Sequence, residues 1–181
     1  AVKMSRQVTH LRRLAGVEEE LDRFFASTAD LGNKFGPLLI QLPPSFQVDL
    51  PLLEDFAAQC QAAWKRYFPR RKLRAAMEFR HTSWNSDETR ELLESLGFSL
   101  VLADMGNFAI DEPLSKGFIY IRRHGPAGGD TSYSNAQLRK LADRIRDFSA
   151  QGRDVYVYFN NDVHAYAPHN AATLIEMLSK K

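Results

Sequence analysis

Six short stretches of this chain have the pattern of buried strands, and almost every one ends in polar or charged side chains. Short apolar runs are typical of parallel strands that are buried on both faces. The predicted strands are Ala1–Arg6, Pro37–Leu42, Ala75–Arg80, Ser99–Asp104, Phe118–His124 and Asp154–Asn160. Polar groups at one end of successive strands favour a (β/α) barrel, in which active sites lie at the carboxyl ends of the strands.

Helical spacing of apolar residues fills most of the intervals between these strands. The predicted helices are Val17–Leu31, Leu50–Tyr67, Asp87–Gly97, Asn135–Gln151 and Asn170–Ser179. The segment Met105–Lys116 is predicted to be a polar loop. Strand and helix alternate as in βαβ units, whose right-handed crossovers make a parallel sheet. The pattern therefore predicts an α/β fold in a single domain over residues 1–181.

The number of strands is smaller than a closed barrel requires. A TIM barrel has eight strands and about 250 residues, whereas this chain has 181 residues and Ala1 already falls inside a predicted strand. We therefore expect a TIM-barrel-like fold with six parallel strands, truncated at its N-terminus by two βα units. An open, doubly wound sheet is the alternative.

Alternation of side chains along each strand predicts which of them face the barrel axis. In the third strand, Ala76, Glu78 and Arg80 share one face, and Met77 and Phe79 share the other. The same alternation, applied to all strands, predicts a polar rim of Lys3, Gln41, Glu78, Arg80, Asp104, Arg122, His124, Tyr158 and Asn160. Charges at this depth need partners or water, so the rim is either a ligand site or a structural network.

Glu78 is the predicted general acid or base of this rim, with His81 and His124 as further catalytic candidates. Histidine exchanges protons near neutral pH, although a histidine at a strand end is also a common structural group. Burial would raise the pKa of Glu78 and the neighbouring Arg80 would lower it. If the protein is an enzyme, a hydrolase or lyase with Glu/His acid–base chemistry is the expected class.

The predicted ligand is a small polar or anionic molecule. The predicted ligand-binding residues are Lys3, Gln41, Arg80, Trp84, Asp104, Arg122, Tyr158, Asn160 and Asn161. Lys3, Arg80 and Arg122 suit a phosphate or carboxylate, and the neutral amides would orient polar groups. Trp84 would stack on a sugar or base, or anchor a loop as a partly buried residue.

Composition adds few constraints on partners and location. Hydrophobic residues make up 44% of the chain and the net charge is +2, which is typical of a soluble globular protein and indicates no polyanionic partner. The basic run 65–74 leaves nucleic acid as a partner that is open but not favoured. No run reaches the ~18 apolar residues of a membrane span. The single cysteine, Cys60, cannot form an internal disulfide, so a cytoplasmic location is expected.

No metal and no cofactor are predicted. The sequence contains no H-x-H or H-E-x-x-H pair, and three inward cations would oppose a divalent ion. The segment Gly125–Gly129 lacks both the G-x-G-x-x-G spacing and the GK[ST] ending of nucleotide-binding loops. It is predicted to be a turn or a flexible lid.

Several motifs in one order are specific to a known family. They are VKMSRQVTHLRRL (Val2–Leu14), GPLLIQLPPSF (Gly36–Phe46), EFRHTSW (Glu78–Trp84), LVLAD (Leu100–Asp104), YIRRHG (Tyr120–Gly125), VYVYFNND (Val155–Asp162) and HNA (His169–Ala171). Together they resemble the YecE-like family, labelled domain of unknown function 72. The resemblance implies a TIM-barrel-like fold, and it adds His10 and Pro43 to the cleft positions named above.

Three functions remain open from the sequence. The first is an enzyme-like barrel that binds or converts a small anionic or polyhydroxylated molecule at the mouth formed by the carboxyl ends of the strands. The second, by analogy of fold alone, is a nucleic-acid-binding or metal-dependent nucleic-acid-processing barrel. The third is a non-catalytic module that binds a ligand or a partner.

Overall fold

The computed structural model describes residues 1–105, 108–126 and 131–179. Within these ranges the chain forms two compact units, residues 1–100 and 101–181, and the boundary between them falls inside strand β4 (Ser99–Met105). Most of the predicted turn at Gly125–Gly129 lies outside the described residues.

The first unit is a parallel sheet with helices after its strands. Its elements are β1 (Val2–Lys3), α1 (Glu18–Thr28), β2 (Leu38–Gln41), α2 (Leu50–Tyr67), β3 (Ala75–Glu78), α3 (Asp87–Leu96) and the start of β4. The strands pair in the order β1-β2-β3-β4, all parallel. Every residue of β2 and β3 is buried, in keeping with sequences that are apolar up to the last residue of each strand, Gln41 and Glu78.

Local signals fix the helix ends in this unit. Helix α2 begins after Asp49, whose carboxylate accepts a hydrogen bond from the Leu52 amide at 3.0 Å. Ser86 caps α3 in the same way, and Gly97 ends it in a left-handed conformation with φ of 68°. These are the residue types that satisfy free backbone groups at helix ends without steric cost.

The second unit continues the same pattern with one antiparallel addition. Its elements are the rest of β4, β5 (Phe108–Ile110), β6 (Ile119–Arg123), α4 (Asn135–Ala150), β7 (Val155–Phe159) and α5 (Tyr166–Ser179). Strands β4, β6 and β7 pair in parallel in that order, and β5 pairs antiparallel with the end of β4. Helix α4 begins with a reciprocal capping box between Ser134 and Gln137.

The order of pairing decides between the two predicted fold classes. In each unit the parallel strands pair in the order in which they occur along the chain. Doubly wound sheets reverse their strand order at a switch point, whereas the strands of a (β/α) barrel follow one another. The predicted α/β class with six parallel strands is therefore confirmed for the described residues, and the order is compatible with a truncated TIM-barrel-like fold.

Three predicted boundaries were wrong. The first strand covers only Val2–Lys3, because the chain turns at once into a π-helical segment at Gln7–Leu11. The predicted loop Met105–Lys116 contains β5, which is too short to show a period. The last helix begins at Tyr166 instead of Asn170. Pro168 in its first turn does not break the helix, because the N–H that proline lacks would have no helical partner there.

Two expectations from composition concern Cys60 and the membrane. Cys60 is fully buried in α2, and burial raises the pKa of its thiol to about 12, so it is a core residue as predicted. Among the residues that the structure describes, no helix is both long enough and apolar enough to cross a membrane.

Candidate functional site

Polar side chains end three neighbouring strands of the first unit and lie in register. Gln41 at the end of β2 pairs with Glu78 at the end of β3, and Lys3 pairs with Leu39, two residues before Gln41 on the same strand. The Lys3 ammonium donates a hydrogen bond to Gln41 Oε1 at 3.0 Å. Lys3, Gln41 and Glu78 thus form one continuous polar row, as alternation predicted.

Glu78 is a buried carboxylate that accepts two hydrogen bonds from Arg80. Its side chain is 1% exposed, while that of Arg80 is 20% exposed. Arg80 Nε and Nη2 both donate to Glu78 Oε1, at 2.9 and 2.8 Å. A carboxylate removed from water needs a nearby positive charge, and Arg80 supplies it. The pair fixes the orientation of Glu78 at the carboxyl end of β3.

The segment after β1 has an unusual backbone. The Arg12 amide bonds the Gln7 carbonyl at 2.9 Å in a π-helical turn, and Arg13 and Leu14 follow with φ of 50° and 70°. Left-handed residues other than glycine cost free energy and cluster at functional segments, as π-turns do. Leu14 is fully buried, and the Arg13 guanidinium lies 4.7 Å from the centre of the Phe46 ring. These contacts hold a conformation that the local sequence disfavours.

This segment places His10 among cations. The pKa of His10 lies below its usual 6.5, first because of burial and then because of Arg6, Lys3 and Arg80. The imidazole is therefore mainly neutral at neutral pH. We call Lys3, Arg6 and Arg80 the basic cluster. Alternation could not find His10, because it lies in the π-helical segment after β1 and not on a strand. Only the family motif included it.

His81 and Trp84, predicted as a catalytic candidate and a ligand-binding residue, hold the loop after β3. The Ser83 amide donates to His81 Nδ1 at 3.2 Å, so His81 caps the short turn 82–84. Trp84 is 2% exposed, stacks on Phe79 with ring centres 4.3 Å apart, and donates its indole N–H to the Phe46 carbonyl. These contacts match the loop-anchor interpretation of Trp84. Catalysis by His81 and ligand stacking by Trp84 stay predictions.

In the second unit, Asp104 organises the residues after β6. Asp104 Oδ1 accepts the His124 amide at 2.7 Å, and Oδ2 accepts the phenol of Tyr133 and lies 3.5 Å from Arg123 Nη1. The Tyr133 oxygen in turn accepts the Gly125 amide at 2.7 Å. Burial and then Asp104 raise the pKa of Tyr133, so its phenol stays protonated. Asp104 therefore has a structural role, and its predicted ligand role stays a prediction.

Asn161 also holds backbone in the second unit, at residues 131–133. Its side-chain amide donates to the Thr131 carbonyl at 2.7 Å and to Asn170 Oδ1 at 2.8 Å. Asn170 Oδ1 also accepts the Tyr133 amide at 3.2 Å. Both asparagines are buried. The predicted ligand residue Asn161 thus fixes the backbone at residues 131–133.

The remaining predicted residues end β6 and β7. Arg122 and Tyr158 are in register, and Tyr158 stacks on Tyr120 with ring centres 5.0 Å apart. Burial raises the pKa of Tyr158. The Asn160 amide donates to the Arg123 carbonyl at 2.7 Å. Arg122 is buried. That its side chain lies close to Lys3, Gln41 and Glu78 stays a prediction.

A cavity of about 700 Å³ lies within the second unit, between the β4–β5 pair and α4. Arg123 and Arg144 line it, and both are paired with carboxylates of the same cavity, Asp104 and Asp111. In the first unit, Arg80 pairs with the buried Glu78, Lys3 contacts Gln41 on the neighbouring strand, and Arg6, Lys3 and Arg80 act electrostatically on His10. We therefore place the candidate site at the carboxyl ends of β1–β3. In the described ranges, no three His, Cys, Asp or Glu side chains come together as a metal site.

Comparison with known proteins agrees with this fold. The sequence model of a family described as protein of unknown function DUF72 matches residues 1–181. A crystal structure of a DUF72 family protein from Thermotoga maritima (TM1631) is similar with a TM-score of 0.80 and 26% identity, over 99% of this chain and 73% of that one. No curated protein matches the chain.

A second crystal structure shares the fold alone. It is a DUF72 family protein from Enterococcus faecalis (EF0366), with a TM-score of 0.76 and 20% identity, over 99% of this chain and 77% of that one. A further structure of EF0366 gives a TM-score of 0.71 over 92% of this chain and 68% of that one.

Removing the Tyr133 hydroxyl should destabilise the second unit. Tyr133→Phe leaves the partly buried Gly125 amide without its acceptor and Asp104 without one donor. We expect a loss of about 1–3 kcal/mol in the free energy of unfolding, measured by urea denaturation. Tyr67→Phe is the matched control, because it removes one partly buried hydrogen bond, to Asp22, instead of two, and it should cost less. Equal losses would contradict the structural role of Tyr133.

His10 should make stability depend on pH. Its folded pKa lies below the unfolded value of 6.5, so acid favours the unfolded state, which binds the proton more readily. As the pH falls from about 6.5 through the lowered pKa, the wild type should lose stability faster than His10→Asn. The difference should be modest, because solvent screens a partly exposed imidazole. Parallel curves of unfolding midpoint against pH for the two proteins would refute this assignment.

Proposed function

Because the chain belongs to the DUF72 family, whose function is unknown, we propose its activity from the site itself: it binds a small anionic molecule at the carboxyl ends of β1–β3 and uses Glu78 for proton transfer. The family assignment confirms the resemblance to YecE-like proteins seen in the sequence motifs. One observation carries the proposal, namely that Lys3, Gln41, Glu78 and Arg80 lie at the carboxyl ends of β1–β3, joined by the Lys3–Gln41 and Arg80–Glu78 hydrogen bonds.

The donors of the basic cluster support anion binding. Arg80 donates two hydrogen bonds to Glu78. Gln41 accepts a hydrogen bond from the Lys3 ammonium and thereby orients it. Arg6 adds a further exposed guanidinium. A guanidinium and an ammonium that converge on one place suit the oxygens of a phosphate or carboxylate, with charge-assisted hydrogen bonds.

The position of Glu78 supports a catalytic role beyond binding. A carboxylate in a largely water-free place, oriented by two hydrogen bonds to one oxygen, has the fixed geometry that acid–base catalysis requires. The Gln41 amide next to it can orient a hydroxyl of a polyhydroxylated ligand. Conversion of the hydrolase or lyase type is the chemistry that a Glu/His pair beside an anion site favours.

Binding of inorganic phosphate tests the anion site. We expect calorimetry at low ionic strength to detect phosphate binding by the wild type, and Arg6→Gln to weaken it about tenfold, because one charge-assisted contact is lost. Arg23→Gln is the matched control, since it removes the same charge from α1, where Arg23 is paired with Glu19 and Glu20. Equal weakening by both variants would indicate a general charge effect and contradict the site.

Substituting Glu78 separates an enzyme from a binding module. On a panel of phosphorylated and carboxylated sugars, Glu78→Gln should lower turnover by about 10²-fold or more and change ligand affinity less than about tenfold. Glu20→Gln is the matched control, because Glu20 is also buried and paired with Arg12 and Arg23. Full turnover by Glu78→Gln would rule out its catalytic role and favour the non-catalytic alternative.

A further inference from the structure

The cavity between the β4–β5 pair and α4 has the size and the lining of a ligand pocket. Its volume is about 700 Å³, and apolar atoms make up most of its surface. Packed layers leave few voids larger than a water molecule, whereas ligand pockets of about 300–1,000 Å³ are mostly apolar with a few polar groups. This cavity therefore resembles a binding site more closely than a gap in packing.

The short strand β5 and the helix α4 form the two walls of this cavity. Ala109 of β5 is paired directly with Asp104 of β4, so both side chains point to one face of the strand pair. Ala109 is exposed and carries only a methyl group, which leaves the space in front of it open. Leu138 and Leu141 form the apolar wall on the side of α4. The strand that periodicity could not reveal thus completes the pocket.

The charges along this cavity leave one cation over. Arg123 is paired with Asp104, and Arg144 is paired with Asp111. Lys140 also lines the cavity and is exposed, and no carboxylate of the described residues lies within ion-pair distance of it. Lys140 and Arg144 are four residues apart on α4, so they share one face of the helix. The described lining therefore has three cations and two carboxylates, next to an apolar wall.

We propose that this cavity binds a small monocarboxylate with an apolar body, which places its carboxylate on Lys140 and its body against Ala109, Leu138 and Leu141. A single acidic group suits one excess positive charge, whereas a phosphate dianion would be repelled by the two carboxylates of the lining. All of these residues belong to the second unit. The inference is therefore independent of the anion site proposed in the first unit.

Nuclear magnetic resonance of methyl-labelled protein, with phenylacetate as the probe, tests the site. We expect phenylacetate to shift the methyl signals of Ala109, Leu138 and Leu141 until the signals reach a plateau. Two further probes separate the parts of the ligand, since 2-phenylethanol has the same ring without the charge and acetate has the charge without the ring. Each of these should bind at least about fivefold more weakly than phenylacetate, because one of the two kinds of contact is lost.

Two variants with matched controls test the two walls. Ala109→Phe should weaken phenylacetate binding at least about tenfold, because the added ring occupies the cavity. Ala136→Phe is its control, since Ala136 is also exposed but does not line the cavity. Lys140→Gln should weaken binding about fivefold, because an exposed charge pair contributes modestly. Arg139→Gln is its control, since it removes the neighbouring exposed cation of α4, which lies outside the lining.

The outcomes decide this inference separately from the proposed function. Saturable shifts in the second unit that Ala109→Phe and Lys140→Gln weaken, while both controls keep the wild-type affinity, would support it. The inference is overturned by the absence of a saturable shift, by shifts confined to methyl groups of the first unit, or by equal weakening in Lys140→Gln and Arg139→Gln. If Ala109→Phe does not fold, the lysine variant and the three probes decide alone. Phosphate binding in the first unit is a separate measurement that none of these results affects.

Discussion

Burial of one carboxylate is the constraint on which the candidate site depends. Glu78 lies at the end of a strand that is buried along its whole length, and its charge is stabilised there by Arg80. A buried ion pair is seldom more stable than apolar residues of the same size. Stability alone would therefore not require a glutamate at this position. The ion pair with Arg80 instead holds the charge of Glu78 in a fixed position. Gln41 and Lys3 extend that polar position across two neighbouring strands.

Much of the fold could be predicted because local signals agreed with the apolar pattern. Helix α2 covers Leu50–Tyr67, as predicted, since Asp49 caps it and its apolar residues keep a helical period. The missed strand β5 has three residues and pairs antiparallel with β4, so neither length nor period marks it. The short first strand was missed because a π-helical turn has no sequence signature that distinguishes it from an irregular strand end.

The site was predictable to the extent that it follows from strand geometry. Alternation and a shared strand end are enough to place Lys3, Gln41 and Glu78 together. The same reasoning gives the direction of a side chain but not its partner, so it could not show that Asp104 accepts the His124 amide. Residues outside the strands, such as His10 in its π-helical segment, are not covered by any rule of alternation.

The buried Cys60 can report how often the structure around α2 opens. A thiol with a pKa of about 12 is a thiolate in only about one molecule in 100,000 at pH 7, and only the thiolate reacts readily with alkylating reagents. Because the chain has one cysteine, every alkylation event marks exposure of a single point on α2. The rate of alkylation therefore measures how often the helix layer of the first unit separates from its sheet, independently of any ligand or activity.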